Sequence, residues 1–167
     1  MMFDDLAFPP ENIRYMELDR TDRNILNLLQ IDGGLTNAQL AERVNLSPSA
    51  CHRRVQRLEA SGIIEGRVTL IRQELVGKPT NVFVEVSLNS QSAETLDAFE
   101  AAVRDCPEIM ECYLMSGEFD YMLRVIAADT QDYERIHRRY LSRLPGVARV
   151  HSSFALRIVC KKTALVV

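Results

Sequence analysis

The chain has 167 residues, 47% of them apolar and 26% charged, with seven Gly and six Pro; this is globular composition and excludes disordered, collagen-like and low-complexity architectures. No apolar run exceeds four residues and the opening Met1-Met2-Phe3-Asp4-Asp5 has neither a basic nor an apolar stretch, so neither a transmembrane helix nor a signal peptide is expected. The net charge is −3, with ten Lys/Arg against eleven Asp/Glu in residues 1–78 and ten against twelve in 79–167, which argues against a bulk polyanion binder and requires any nucleic-acid site to be a local patch. Cys51, Cys106, Cys112 and Cys160 are far apart and never form CxxC. That spacing speaks against a zinc site or a disulfide framework and for a reducing cytoplasm.

Residues 17–64 read as helices. Leu18, Ile25, Leu28 and Leu29 share one helical face. Asp19 is the expected N-cap, and Asp22 falls in the first turn. Asp32-Gly33-Gly34 ends this helix. Thr36-Asn37-Ala38-Gln39 fits a capping box, and the short helix it opens turns Leu40, Ala41 and Val44 inward. After a tight turn at Asn45-Leu46, Ser47-Pro48 supplies an N-cap and a first-turn Pro. The helix that follows runs to about Ala60, with Cys51, Val55 and Leu58 buried and Gly62 as its stop. A short helix, a tight turn and a longer helix make a helix-turn-helix. Ile63–Leu70 is expected to add a small hairpin, the wing.

From Asn81 the hydrophobic period becomes two. Val82, Val84, Val86 and Leu88 alternate with Phe83, Glu85 and Ser87, as in a strand. Ser92 caps a helix with Leu96, Phe99 and Val103 inward, which stops near Cys106-Pro107. Ile109–Met115 and Asp120–Ala127 are the second and third strands, joined by Ser116-Gly117-Glu118-Phe119. Thr130 is expected to cap a helix burying Tyr133, Ile136, Tyr140, Leu141 and Leu144. Pro145-Gly146 ends it, and Val147–Val159 is the fourth strand. The order βαββαβ is ferredoxin-like. The expected fold is α+β: an N-terminal tail (1–16), a winged helix-turn-helix (17–66), a linker (67–80) and a ferredoxin-like domain (81–167).

The third helix carries the sharpest chemistry. Its wheel turns Ser49, His52, Arg53 and Gln56 outward, side chains of the kind that read base edges in a major groove. Arg43, Arg54 and Arg57 flank them, where phosphate contacts are expected. Thr36, Asn37 and Ser47 stand at helix N-termini, whose free N–H groups favour phosphate.

Leu18-Asp19-x-x-Asp22-x-x-Ile25-Leu26 and Leu46-Ser47-Pro48-Ser49-x-Cys51-x-x-Arg54-Val55-x-Arg57-Leu58-Glu59-x-x-Gly62-x-Ile64 resemble the Lrp/AsnC regulators. So do Glu111-Cys112-Tyr113-Leu114-Met115-Ser116-Gly117-Glu118-Phe119-Asp120-Tyr121 and Leu144-Pro145-Gly146-Val147. The resemblance spans about residues 15–165. It implies a DNA-binding transcription factor whose C-terminal (RAM) domain dimerises through its sheet. It also implies that dimers assemble into tetramers or octamers, and that a small molecule, usually an amino acid, binds between dimers. The loop Ser116–Tyr121 then lies at the effector site, with Asp120 at the sensing position.

The residues of that loop suit the role. Gly117 allows close backbone approach, and N–H groups of a turn can hold a carboxylate. Asp120 or Glu118 can pair with an ammonium, and Tyr113, Leu114, Met115 and Phe119 can enclose an apolar side chain. Ser152 and Ser153 would leave room beside Met115 for Leu or Met. A plain hairpin turn, with Asp120 bonded to backbone, stays open as the alternative. His151 reads as an exposed strand residue rather than a titrating one.

No catalytic residues and no metal site are expected. His52, His137 and His151 lack ligand spacing, and no GxSxG, Walker or GxGxxG motif occurs. Cys106 and Cys112 read as buried or sheet residues. Asp132 with Arg135 and Glu134 with Arg138 read as ordinary helix-surface pairs. The expected partners are double-stranded DNA, further copies of the chain and an amino acid, with no membrane, at a cytoplasmic, nucleoid-associated location. Two competing readings are an effector-independent architectural DNA-binding protein and an amino-acid-binding metabolic module.

Overall fold

A computed structural model describes residues 16–167; the expected N-terminal tail, apart from Met16, lies outside the described residues. The chain divides into two compact units, one reaching to Thr69 and reclaiming Lys161–Val167, the other spanning Leu70–Cys160. The segment Lys161–Val167, expected with the C-terminal domain, therefore belongs to the first unit.

In the first unit, α1 (Arg20–Ile31), α2 (Asn37–Arg43) and α3 (Pro48–Ala60) surround one core. Each helix starts at an expected cap. Asp19 and Asp22 form a reciprocal capping box on α1, Thr36 and Gln39 form another on α2, and the Ser47 hydroxyl accepts the Ala50 N–H on α3. Asn45 takes the left-handed conformation (φ 54°) that the tight turn between α2 and α3 requires, a conformation that Asn tolerates better than most residues. Ile25, Leu26, Leu35, Leu40, Cys51, Val55 and Leu58 make the core. The Gln30 side-chain amide grips the backbone of Leu165 from both sides, accepting its N–H (2.6 Å) and donating to its carbonyl (3.1 Å). Val167 packs against the same core.

The expected wing hairpin is not formed: no strand occurs between α3 and residue 80. A hairpin needs two facing runs. The first run here is only Ile63-Ile64, and Ile64 is used elsewhere. Its N–H donates to the Leu58 carbonyl (3.3 Å) and its side chain packs on the helical core.

The second unit is a four-stranded antiparallel sheet of order β2-β3-β1-β4 with helices on one face, from β1 (Thr80–Leu88), α4 (Ala93–Arg104), β2 (Ile109–Leu114), β3 (Tyr121–Ala127), α5 (Thr130–Arg139) and β4 (Val147–Phe154). Val82, Val84 and Val86 of β1 and Tyr121, Leu123 and Val125 of β3 point to the helices and meet Phe99, Val103, Tyr133 and Ile136. Three boundaries differ most from expectation. α5 ends at Arg139, with only a 3₁₀ turn over Leu141–Arg143 after it, instead of running on to Pro145. Asp129, not Thr130, caps α5, its carboxylate accepting the Asp132 N–H. β4 stops at Phe154 rather than Val159: beyond the pair Val82–Phe154 only Asn81 and Thr80 of β1 remain, the Ala155 N–H makes one more bond to the Asn81 carbonyl, and Pro79 has no N–H to extend the ladder further.

Candidate DNA-reading and effector sites

Helix α3 has the expected polarity: Cys51, Val55 and Leu58 are buried, while Ser49, His52, Arg53 and Gln56 are exposed. Four side chains from two successive turns thus share one solvent face with no apolar residue between them. Among the described residues, Arg53 and the exposed Arg43 at the end of α2 make no ion pair.

Arg54 and Arg57 are placed differently from expectation. Arg54 donates to Asp19 (2.7 Å) and Asp22 (2.8 Å), and Arg57 donates to Asp22 (2.5 Å). Asp22 is fully buried. A carboxylate taken out of water requires charged donors, and this one draws in both guanidiniums, fastening α3 to the start of α1. The Asp22 N–H, and next the Arg54 guanidinium, hold the Asp19 carboxyl below its usual range. The requirement was legible in the sequence, because Asp22 precedes Ile25 and Leu26 by one helical turn on the buried face. Thr36 and Ser47 are likewise engaged as caps, and the Asn37 side chain donates to the Pro48 carbonyl (2.8 Å). The Asn37 bond thus ties the start of α2 to the start of α3.

In the second unit, Met115–Asp120 connects β2 to β3. The Met115 N–H closes the loop on the Asp120 carbonyl (2.8 Å), and the Asp120 N–H donates to the Val86 carbonyl (2.9 Å). Gly117 lies at φ +151°, a conformation essentially reserved for glycine. The Asp120 carboxylate reaches across to the β1–α4 connection. Oδ2 accepts the Leu88 N–H (2.7 Å) and Oδ1 accepts the Gln91 side-chain amide (2.6 Å). Nothing in the polar run Asn89-Ser90-Gln91-Ser92 marked Gln91 as a partner of Asp120.

Ser116, Glu118, Tyr113, Leu114 and Met115 are exposed, and Phe119 is half-buried. Glu118 and Phe119 also border a shallow groove of about 300 Å³ on the helix-free face of the sheet, with Glu85, Ser87, Arg149 and His151. His151 is exposed there, as expected.

Two expectations for the effector site fail on strand geometry. Tyr121 is in the core, its ring 4.4 Å from that of Phe99 and its hydroxyl donating to Glu100 (2.8 Å). Burial, and then that hydrogen bond, push the Tyr121 phenol well above its ordinary range. Ser152 and Ser153 cannot line one pocket, because adjacent strand residues face opposite sides of a sheet. Ser152 bonds to the Tyr133 hydroxyl (2.5 Å) on the helix side, while Ser153 is exposed opposite Phe83.

Asp132 is more than a surface pair. It accepts the Ala128 N–H (2.9 Å) and pairs with Lys78 (2.9 Å) and Arg135 (2.8 Å), which together hold its carboxyl far below the usual range, the backbone bond contributing most. Burial pushes the Cys112 thiol up to about 12, so it is no nucleophile at neutral pH. Among the described residues, no cluster of His, Cys, Asp or Glu could hold a metal ion, and no helix is long and apolar enough to cross a membrane.

The chain matches the family model of the Lrp/AsnC ligand binding domain over residues 81–165 and that of the winged helix-turn-helix DNA-binding domain over residues 18–65. It is 41% identical to the leucine-responsive regulatory protein of Salmonella typhimurium over 151 residues, 90% of this chain and 92% of that protein. Among solved structures it resembles a transcriptional regulator of Neisseria meningitidis in complex with L-Met (37% identity, TM-score 0.84, 89% of this chain and 96% of that one). An AsnC family transcriptional regulator from Agrobacterium tumefaciens is similarly close (38% identity, TM-score 0.84, with the same shares covered).

Proposed function

Since the chain belongs to the Lrp/AsnC family of DNA-binding transcriptional regulators, we propose that it reads a specific DNA sequence through α3 and that an amino acid, Leu or Met, sets its DNA occupancy. The observation that carries the DNA reading is the exposed face Ser49, His52, Arg53 and Gln56, held over a buried stripe. Arg matches guanine O6/N7 and Gln matches adenine N6/N7 in a major groove. Arg43, exposed and in no ion pair among the described residues, suits a neighbouring phosphate. The L-Met complex of the Neisseria relative and the leucine-responsive name of the Salmonella relative support the effector class. Loop 115–120 offers it an acid, backbone N–H groups and the apolar Met115 and Phe119, with Leu114 at the end of β2 beside them.

The protein works as a homo-oligomer, dimers joining into tetramers or octamers, at the nucleoid in the cytoplasm. Exposed Phe83 and Tyr113 on the second unit and exposed Val68, Leu70 and Ile71 before β1 are apolar surface that a second copy would cover. Its role is regulatory rather than enzymatic, in keeping with its relatives. Effector and DNA are linked: whatever free energy the amino acid adds to or removes from DNA binding, DNA adds to or removes from amino-acid binding, typically 1–3 kcal/mol.

The test is thermal unfolding of the full chain against the twenty amino acids. A ligand at about 100 times its Kd stabilises the fold by roughly 2.7 kcal/mol, so a rise in Tm confined to Leu or Met is expected. A flat panel would overturn the amino-acid effector. For DNA, Arg53→Ala is expected to cost about 1–3 kcal/mol and relax preference at one base pair.

A further inference from the structure

We propose that Gln91 is a built-in competitor for the effector's ammonium group at Asp120, and that the effector binds by displacing it. The inference rests on the amino-acid reading of loop 115–120 and deepens it by choosing Asp120, rather than Glu118, as the partner of the ammonium.

The two oxygens of Asp120 are held unequally. Oδ2 accepts a backbone N–H, that of Leu88, at a half-buried position fixed by the end of β1. Oδ1 accepts the amide of an exposed, rotatable side chain, that of Gln91, at 2.6 Å. The backbone bond anchors the carboxylate. The side-chain bond is the removable one, since Gln91 sits in an exposed run from Asn89 to Ser92.

An amide NH₂ and an ammonium group offer a carboxylate the same N–H donor, but the ammonium adds charge. Both bonds have an ionised acceptor, but only the ammonium adds Coulomb attraction between opposite full charges. The cation therefore displaces the amide, whereas a neutral donor gains nothing by the exchange. This selects α-amino acids over the corresponding 2-oxo and 2-hydroxy acids, which share the carboxylate and side chain but lack the cation. Displacement also frees the turn that carries Gln91, directly before the Ser92 cap of α4. Effector arrival is thereby transmitted to the start of α4.

The experiment is calorimetric titration of the full chain with L-leucine, L-methionine and 4-methyl-2-oxopentanoate, in wild type, Gln91→Ala, Gln91→Lys and Asp120→Asn. Removing the competitor should tighten amino-acid binding about threefold to tenfold, the net worth of one hydrogen bond. Gln91→Lys, which places a tethered cation on Asp120, should weaken it at least as much, and Asp120→Asn should weaken it further. The oxo acid should bind the wild type poorly. A merely structural Gln91 would make both of its variants weaker or leave both unchanged, and either result overturns the proposal. Failure of the wild type to bind either amino acid would overturn the effector reading itself, and the proposal with it.

Discussion

Replacing Asp22 with Asn removes a single negative charge from the point where two guanidiniums meet. The carboxylate is fully buried, 2.8 Å from Arg54 Nη1 and 2.5 Å from Arg57 Nη2. Removing one partner of a buried ion pair costs about 3–5 kcal/mol, because the charge left behind is neither paired nor solvated. Here both cations reach water, with side chains 29% and 51% exposed, and Arg54 keeps Asp19 at 2.7 Å. The loss therefore falls between the buried figure and the ~0–1 kcal/mol of an exposed pair, at about 2 kcal/mol. In a unit this small that corresponds to a fall in Tm of roughly 10 °C. Hydrogen exchange of the α1 and α3 amides reads the loss directly. A companion measurement separates fastening from DNA contact. Arg43→Ala should reduce the slope of log affinity against log salt by about 0.9, one phosphate's worth, while Arg54→Ala should leave that slope unchanged. Exchange free energies within about 0.5 kcal/mol of wild type in Asp22→Asn, or an Arg54→Ala slope that falls like that of Arg43→Ala, would refute the reasoning.

Asp132 gives a pH dependence of known sign. Its carboxyl is held low in the folded chain, first by the Ala128 N–H and then by Lys78 and Arg135, so its stabilising contribution is complete above the ordinary Asp value of about 3.9. It is lost as pH falls below that value toward the lowered one. Asp132→Asn should therefore be less stable than wild type at pH 7, and urea titrations should show the gap narrowing below about pH 4. Gly146 combines φ +71° with a Cβ position 2.5 Å from Thr95 Cγ2. Gly146→Ala should cost about 2 kcal/mol in urea unfolding, and adding Thr95→Ser should recover only the part due to the methyl clash. Tyr121→Phe keeps the ring on Phe99 and loses the bond to Glu100, which should cost about 1 kcal/mol with no change in amino-acid response. An abolished response at unchanged stability would contradict its place in the core.

What the sequence disclosed, and what it hid, follows from the range of each interaction. The caps at Asp19, Thr36, Ser47 and Ser92 are contacts across three residues, so the side chain and the N–H it serves sit in one short word of sequence. The alternation Val82, Val84, Val86 is equally local, and it placed the core face of β1 correctly. The same period, applied strictly, would have placed Ser152 and Ser153 on opposite faces; proximity in sequence obscured their separation in space. The outward residues of α3 were readable because a helix wheel needs only its own helix. The partners of Arg54 and Asp120 were not, because they lie 32 residues from Asp22 and 29 from Gln91, and no local pattern encodes which distant polar group meets which. The missing wing belongs to the same class: a strand exists only where another run answers it.

The grip of Gln30 on Leu165, and the seating of Val167 on the helical core, make the DNA-reading unit discontinuous in the gene. Its three helices leave the ribosome early, but the residues that finish it arrive only after all of Leu70–Cys160 has been made. Domains generally fold as units during synthesis; this one is completed last. A chain interrupted within the sheet lacks the contacts that Leu165 and Val167 make with this unit. Cutting the gene after Thr69 to obtain a free-standing DNA-binding fragment would leave behind part of the fold it was meant to isolate.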